Sequence, residues 1–153
     1  MNRSRQILGW LPAVLWMALI GYLSADSFAG SWSEALLKSW AAWLHLPASG
    51  PGLQLANLIL RKTAHFLEFF VLGILLYRAI APVVRPTVGP ALGWVILAGG
   101  IYAVTAELFQ AFTVTRGPSL LDASLNLTGV LSSQWLIGRT GSRARSVSPT
   151  SEP

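Results

Sequence analysis

The chain has 153 residues, 53% of them hydrophobic and only 11% charged. A soluble domain carries about a quarter charged residues, so this composition, with a mean hydropathy of +0.55, excludes an ordinary soluble domain and fits one compact membrane bundle. The net charge of +5 comes from basic residues scattered around apolar runs. No basic stripe exists for nucleic acid, and flanking arginines that orient membrane spans account for the charge. There is no cysteine, which excludes disulfides, thiolate metal sites and cysteine nucleophiles.

A helix needs about 20 largely apolar residues to cross the hydrocarbon core. The first segment near that length is 7–23. Arg3 and Arg5 precede it, and Ser27-Phe28-Ala29 resembles a small-residue cleavage site. Its apolar run exceeds the ~7–15 residues of a secretory signal, so it is expected to be a retained span. Residues 26–60 follow as a long outer connection. Within them, 31–46 reads as an amphipathic helix, with Trp32, Leu36, Leu37, Trp40, Trp43 and Leu44 on one face and Glu34, Lys38 and His45 on the other. Ser31 or Ser33 fits its start and Pro47 its end. Glu34 and Lys38 are spaced for a favourable i,i+4 pair. Such a helix lies in the membrane interface or packs on the bundle as a lid.

Three further spans are expected, at 64–80, 91–112 and 120–137. Pro82, Pro86 and Pro90 punctuate the gap between the first two, and Gly117-Pro118 turns the chain before the last. Gly99-Gly100 falls mid-span, where small residues permit close packing. Ser24, Ser132 and Ser133 have no evident base partner and read as packing or back-bonded hydroxyls. Residues 1–138 then form a single transmembrane domain, and the Ser/Arg-rich 139–153 reads as a disordered cytoplasmic tail. The expected fold class is all-α, with four transmembrane helices plus an amphipathic interfacial helix in the first outer loop. Orientation follows the arginines: Arg3, Arg5, Arg78, Arg85, Arg139, Arg143 and Arg145 on one side against Lys38, Arg61, Lys62 and Arg116 on the other. The first group belongs in the cytoplasm, with both termini. Trp10, Trp94 and Trp135 fall toward that same interface, as an aromatic belt would.

Ionisable residues inside spans are costly and mark functional sites by default. Arg61, His65, Glu68 and Leu72 share one helical stripe, while Lys62 points elsewhere. Glu107 and Gln110 share a face of the next span. Arg116 lies in the following loop. Asp122 and Asn126 share a face of the last span, with Gly129 one turn on, where backbones could approach closely. These groups come from three helices and gather at the outer end, whereas the inner halves carry no comparable group. In one reading Glu68, Glu107 and Asp122 pair with Arg61, Arg116 and Lys62 and knot the bundle together. In the other, Arg61, Lys62, His65, Glu68, Glu107, Gln110, Arg116, Asp122 and Asn126 line an outward-facing pocket. There Arg61, Lys62 and Arg116 hold an anion such as phosphate, and His65 or Glu107 is the candidate general base. His65-x-x-Glu68 with Glu107 and Asp122 offers too few nitrogen or sulfur donors for a usual zinc site. No metal and no cofactor are expected.

Arg61-Lys62-x-x-His65-Phe66-x-Glu68-Phe69, followed by Leu72-Gly73 and Tyr77-Arg78, resembles the first signature of the VanZ-like membrane proteins. Tyr102, Glu107-x-x-Gln110-x-Phe112, Arg116, Asp122 and Gly129 resemble the second. The matched motifs span residues 60–137. The resemblance implies a small multi-span protein of the bacterial cytoplasmic (inner) membrane and cell envelope, whose namesake is associated with resistance to the glycopeptide antibiotic teicoplanin. It carries over to Lys62, His65, Glu68, Glu107, Gln110, Arg116 and Asp122. The family pattern commonly has Asp where this chain has Ala106, His where it has Phe109, and Asp where it has Asn126. Val114-Thr115 replaces a Pro-Gly before the arginine. Loss of three ionisable groups favours binding or structure over catalysis. The expected function is therefore binding of an anionic lipid or lipid-linked envelope precursor, with membrane lipids as partners. The alternatives are a non-catalytic accessory subunit bound to another membrane protein, and an enzyme acting on a phosphorylated lipid.

Overall fold

The computed structural model describes residues 3–24, 31–84, 88–110 and 119–146. Among them are five helices: α1 (Arg3–Ser24), α2 (Ser31–Trp43), α3 (Pro51–Val84), α4 (Val88–Gln110) and α5 (Leu120–Ser146). No strand occurs among the described residues. Three helices are long and apolar enough to cross a membrane, over Gln6–Ser24, Pro51–Val84 and Gly89–Gln110. The 27-residue α5 has the length but is too polar to join them. It carries Asp122, Asn126, Ser132, Ser133 and Gln134.

Helix α3 is the axis of the bundle. It packs against every other helix, most extensively α5, and α5 also lies along α4. The core is built from Ala13 and Ile20 of α1, Phe69, Leu72, Leu76 and Ile80 of α3, Val95 and Ala103 of α4, and Val130 of α5. Two hydrogen bonds fix α1 against this core. Trp16 Nε1 donates to the Glu68 carbonyl at 2.8 Å, and the Tyr102 hydroxyl donates to the Met17 carbonyl at 2.6 Å. The Phe69 and Tyr102 rings meet at a centroid distance of 5.8 Å.

Glycines set the closest approaches. A Cβ on Gly129 would run into the Phe66 carbonyl oxygen and lie 3.0 Å from the Phe70 nitrogen, so α5 touches the α3 backbone there. A Cβ on Gly73 would strike Ser133 Oγ, and one on Gly99 would come within 2.9 Å of Val130 Cγ2. Small residues at such contacts let helices gain dispersion contact where lipid offers no hydrophobic drive.

Three expectations differ from the structure. The 64–80 span is part of an unbroken 34-residue helix, about 50 Å long, against a hydrocarbon core of about 30 Å. Hydropathy marks lipid-facing length, whereas helicity began earlier: Gly50 adopts φ 100°, Pro51 supplies a preset first helical residue, and leucines and alanines follow. Second, α2 stops at Trp43, not near Pro47. Leu46 N–H donates to Ala41 O and His45 N–H to Ala42 O, at 2.8 and 3.2 Å, with His45 at φ 55°. This is a Schellman stop with histidine in the usual glycine place. Third, α5 runs through Ser146, past the expected boundary at 138. In α2, Ala41 is buried while Trp43 is 79% exposed, and Glu34 pairs with Lys38 at 2.7 Å.

Candidate polar site at the α4–α5 turn

The start of α5 is built by its own first residues and by α4. Ser119 is the N-cap, its Oγ accepting the Asp122 N–H at 3.2 Å. In a capping box, the residue at Asp122's position would return the favour to the Ser119 N–H. Here that N–H donates instead to Glu107 Oε2 at 3.2 Å. The other Glu107 oxygen accepts from Asn126 Nδ2 at 3.4 Å. Glu107 thus sits against a helix N-terminus, whose partial positive charge favours a carboxylate. It is 4% exposed and Asn126 1%.

Freed from capping, the Asp122 carboxylate reaches across to α3 and pairs with Lys62 Nζ. Lys62 was expected to point away from the stripe of Arg61, His65 and Glu68. Its long flexible stem brings the ammonium round to α5. The Lys62 and Asp122 side chains keep 27% and 11% of their exposure, so this pair is less enclosed than Glu107 and Asn126.

His65 and Gln110 are buried, Glu68 is half-buried, and all three make further interactions. Arg61 is half-buried, and its buried Nε has no hydrogen-bond partner. Asn57 lies one helical turn before Arg61, and its Oδ1 is likewise buried without a partner. Arg116 falls outside the described residues, as do the Gly117-Pro118 turn and Val114-Thr115. Among the described residues, no three of His, Asp and Glu form a group able to hold a metal.

The family departures acquire a physical sense. Asn126 donates an amide hydrogen to Glu107, where an aspartate would set two carboxylates together. Phe109 is exposed and turned away from the cluster. Ala106 packs against the core.

One buried polar residue escaped the sequence reading, which saw no such group in the inner halves of the spans. Gln134 is 3% exposed. Its Nε2 donates to the Gly73 carbonyl at 3.0 Å and to Ser133 Oγ at 2.8 Å. Ser133 in turn donates back to the Val130 carbonyl at 2.7 Å, the back-bonded hydroxyl expected of it. Gly73 facing Gln134 was the available signal: a small residue in one span opposite an amide in another.

A helical bundle with three membrane-length apolar helices, closed by a polar fourth partner whose start is held by a carboxylate from α4, defines a small integral-membrane class of protein. The chain belongs to the VanZ/LLP1 family, whose model matches residues 9–138. No curated protein and no solved structure matches it.

Proposed function

We propose that this protein crosses the bacterial cytoplasmic membrane four times, with both termini in the cytoplasm, and binds an anionic lipid or lipid-linked envelope precursor at its outer end. α5 is the fourth crossing. It runs back along α4, from Ser119 beside Glu107 to Gly138 beside Leu92, and turns Asp122, Asn126, Ser133 and Gln134 inward. The arginine asymmetry gives the orientation, and the exposed Trp40 and Trp43 of α2 suit an outer interface.

The observation that carries the binding role is Arg61. Lys62 and Glu107 are committed to partners inside the bundle, whereas the buried Nε of Arg61 has none. An unsatisfied buried donor costs about 1–3 kcal/mol, and a phosphate oxygen removes that cost with a charge-assisted bond. The apolar groove between α2 and the start of α3, lined by Leu37, Trp40, Leu44, Leu46, Leu53 and Ala56, offers a chain somewhere to lie. The test is retention of phosphatidylglycerol and of a polyprenyl phosphate by purified wild type, Arg61→Lys and Arg61→Ala. About tenfold weaker retention is expected in Arg61→Ala, with Arg61→Lys between. Equal retention by wild type and Arg61→Ala sinks the proposal.

A second reading, the accessory subunit, draws support from the inward commitment of Lys62, Asp122, Glu107 and Asn126, which behave as glue. Co-purification of a stoichiometric membrane partner in mild detergent would favour it. The enzymatic reading draws less, since both Glu107 oxygens are occupied by Ser119 and Asn126.

A further inference from the structure

Helix α3 carries exposed apolar residues on both sides of its basic pair. Leu55, Leu58 and Ile59 come before Lys62, each at least half exposed, and Leu67 comes after. The first three stand seven, four and three residues ahead of Lys62, so they occupy the same flank of the helix. The partly exposed edge of the polar cluster, Lys62 with Asp122, lies at the foot of that strip. Helix α2 leaves the strip open, since its groove with α3 is lined by Leu53 and Ala56 instead. Charges do not mark this part of the chain as a surface for water either. From Ser39 to Leu60 there is no Asp, Glu, Lys or Arg. An apolar strip so exposed and so free of charge is a contact surface.

Two rulers along α3 give its depth. Arg78, exposed toward the far end of α3, suits the inner boundary of the hydrocarbon. Lys62 lies sixteen residues from it, about 24 Å along a helix and less across a tilted one. That falls short of a hydrocarbon core of about 30 Å, so lipid extends past Lys62. The second ruler is α2, whose exposed Trp40 and Trp43 suit a membrane interface. Trp40 lines the groove beside Leu53 and Ala56, a level about 10 Å beyond Lys62 along α3. The whole 34-residue helix, tilted by about 30°, also fits the about 40–45 Å of a bilayer with its headgroups.

We propose that outer-leaflet acyl chains cover the strip of Leu55, Leu58 and Ile59, so that the polar cluster lies beneath the membrane surface and is entered sideways from the bilayer. The occupant follows from continuity: the same helix already turns Leu67 outward below Lys62, and the apolar surface runs on past the pair. A charge pair at that depth is tolerated because Lys62 and Asp122 satisfy each other. For the identity of what enters, this rests on the binding role proposed above. An anionic amphiphile reaches the cluster with its tails still in lipid, whereas a soluble phosphate ester has no aqueous route along this flank.

The chain has no cysteine, so single cysteines report cleanly. Full-length Leu58→Cys and Ile59→Cys, with Leu67→Cys and Lys38→Cys as references, are each spin-labelled and reconstituted in vesicles of phosphatidylcholine and phosphatidylglycerol. Collision with oxygen, which dissolves in lipid, is compared with collision with a water-soluble nickel chelate. Labels at positions 58 and 59 are expected to match position 67, open to oxygen and shielded from nickel, with the reverse at position 38. Nickel access at 58 and 59 equal to that at 38 overturns the placement. Shielding from both reagents, which a second copy or another protein on the strip would produce, overturns it as well. The ligand arm is retention of phosphatidylglycerol by unlabelled wild type in detergent, challenged with glycerol phosphate. Undiminished retention is expected, and displacement by glycerol phosphate overturns sideways entry. Equal retention by wild type and Arg61→Ala, with the labels still reading lipid, sinks the binding role alone and leaves the placement standing.

Discussion

Glu107 on α4 accepts the backbone N–H of Ser119 at 3.2 Å, performing across two helices the capping task that Asp122 would ordinarily perform within one. The substitution of partners has a consequence. Asp122 is released to hold Lys62, so a single exchange ties α4 to α5 and α5 to α3.

Removing Glu107 should therefore loosen the start of α5 before it affects anything else. Glu107→Ala leaves the Ser119 N–H and the Asn126 amide without their acceptor, at a cost of about 1–3 kcal/mol. Hydrogen exchange should rise across residues 119–126 while residues near Val130 stay protected. Uniform protection in the variant would refute the capping role.

The Lys62–Asp122 pair lends itself to a double-mutant cycle. Lys62→Met or Asp122→Asn alone leaves the other partner poorly satisfied, and each is expected to destabilise by about 1–3 kcal/mol, below the range for fully buried pairs because both side chains stay partly exposed. The double variant should recover part of that loss. Additive losses would mean that the two residues do not interact.

Asn126→Asp supplies the acid that the resemblance led one to expect at this position, and it should be unfavourable here. It replaces a donor to Glu107 by a second carboxylate, in a place only 1% exposed. A loss of about 2 kcal/mol is expected, relieved when Glu107→Gln is added. A stable single variant would show that the cluster rearranges.

The glycine contacts give a steric test. Gly129→Ala drives a methyl group into the Phe66 carbonyl, a backbone atom that cannot swing aside. It should cost about 1–3 kcal/mol or more, with a lower melting temperature in detergent. Gly73→Ala meets Ser133 Oγ instead. Adding Ser133→Ala removes the clashing atom and leaves Gln134 Nε2 at 3.1 Å and the Cβ of residue 133 at 3.2 Å, so the pair should be milder than Gly73→Ala alone.

Much of this was legible in the residues. Apolar length marked four spans, of which three are membrane-length apolar helices in the structure, and the Pro/Gly turns separated them. The placing of Glu107, Gln110, Asp122 and Asn126 near one turn followed from periodicity, as did the close approach at Gly129. Other features leave weaker traces. Helix α3 extends thirteen residues before the expected span start at Ala64, because Arg61 and Lys62 lower hydropathy without opposing a helix. The Lys62–Asp122 pair was among the pairings read from the sequence; what the helical stripe did not show is that a four-carbon stem is not bound to the face its Cα occupies. Gln134 was hidden in an apolar run, since its partner is a carbonyl and carbonyls carry no sequence signal. His45 at φ 55° sits where a glycine would have announced the end of α2.

The polarity of α5 bears on how the protein is made. A segment with Asp122, Asn126, Ser133 and Gln134 gains little by partitioning into hydrocarbon alone. On the four-crossing topology proposed above, its entry depends on α3 and α4 already standing in the bilayer to receive those groups. Assembly on that topology is ordered by synthesis: the hairpin of α3 and α4 comes first, and α5 enters as its lining. Chains carrying Gly129→Leu should stall at that step, with α5 left on the side where the ribosome released it.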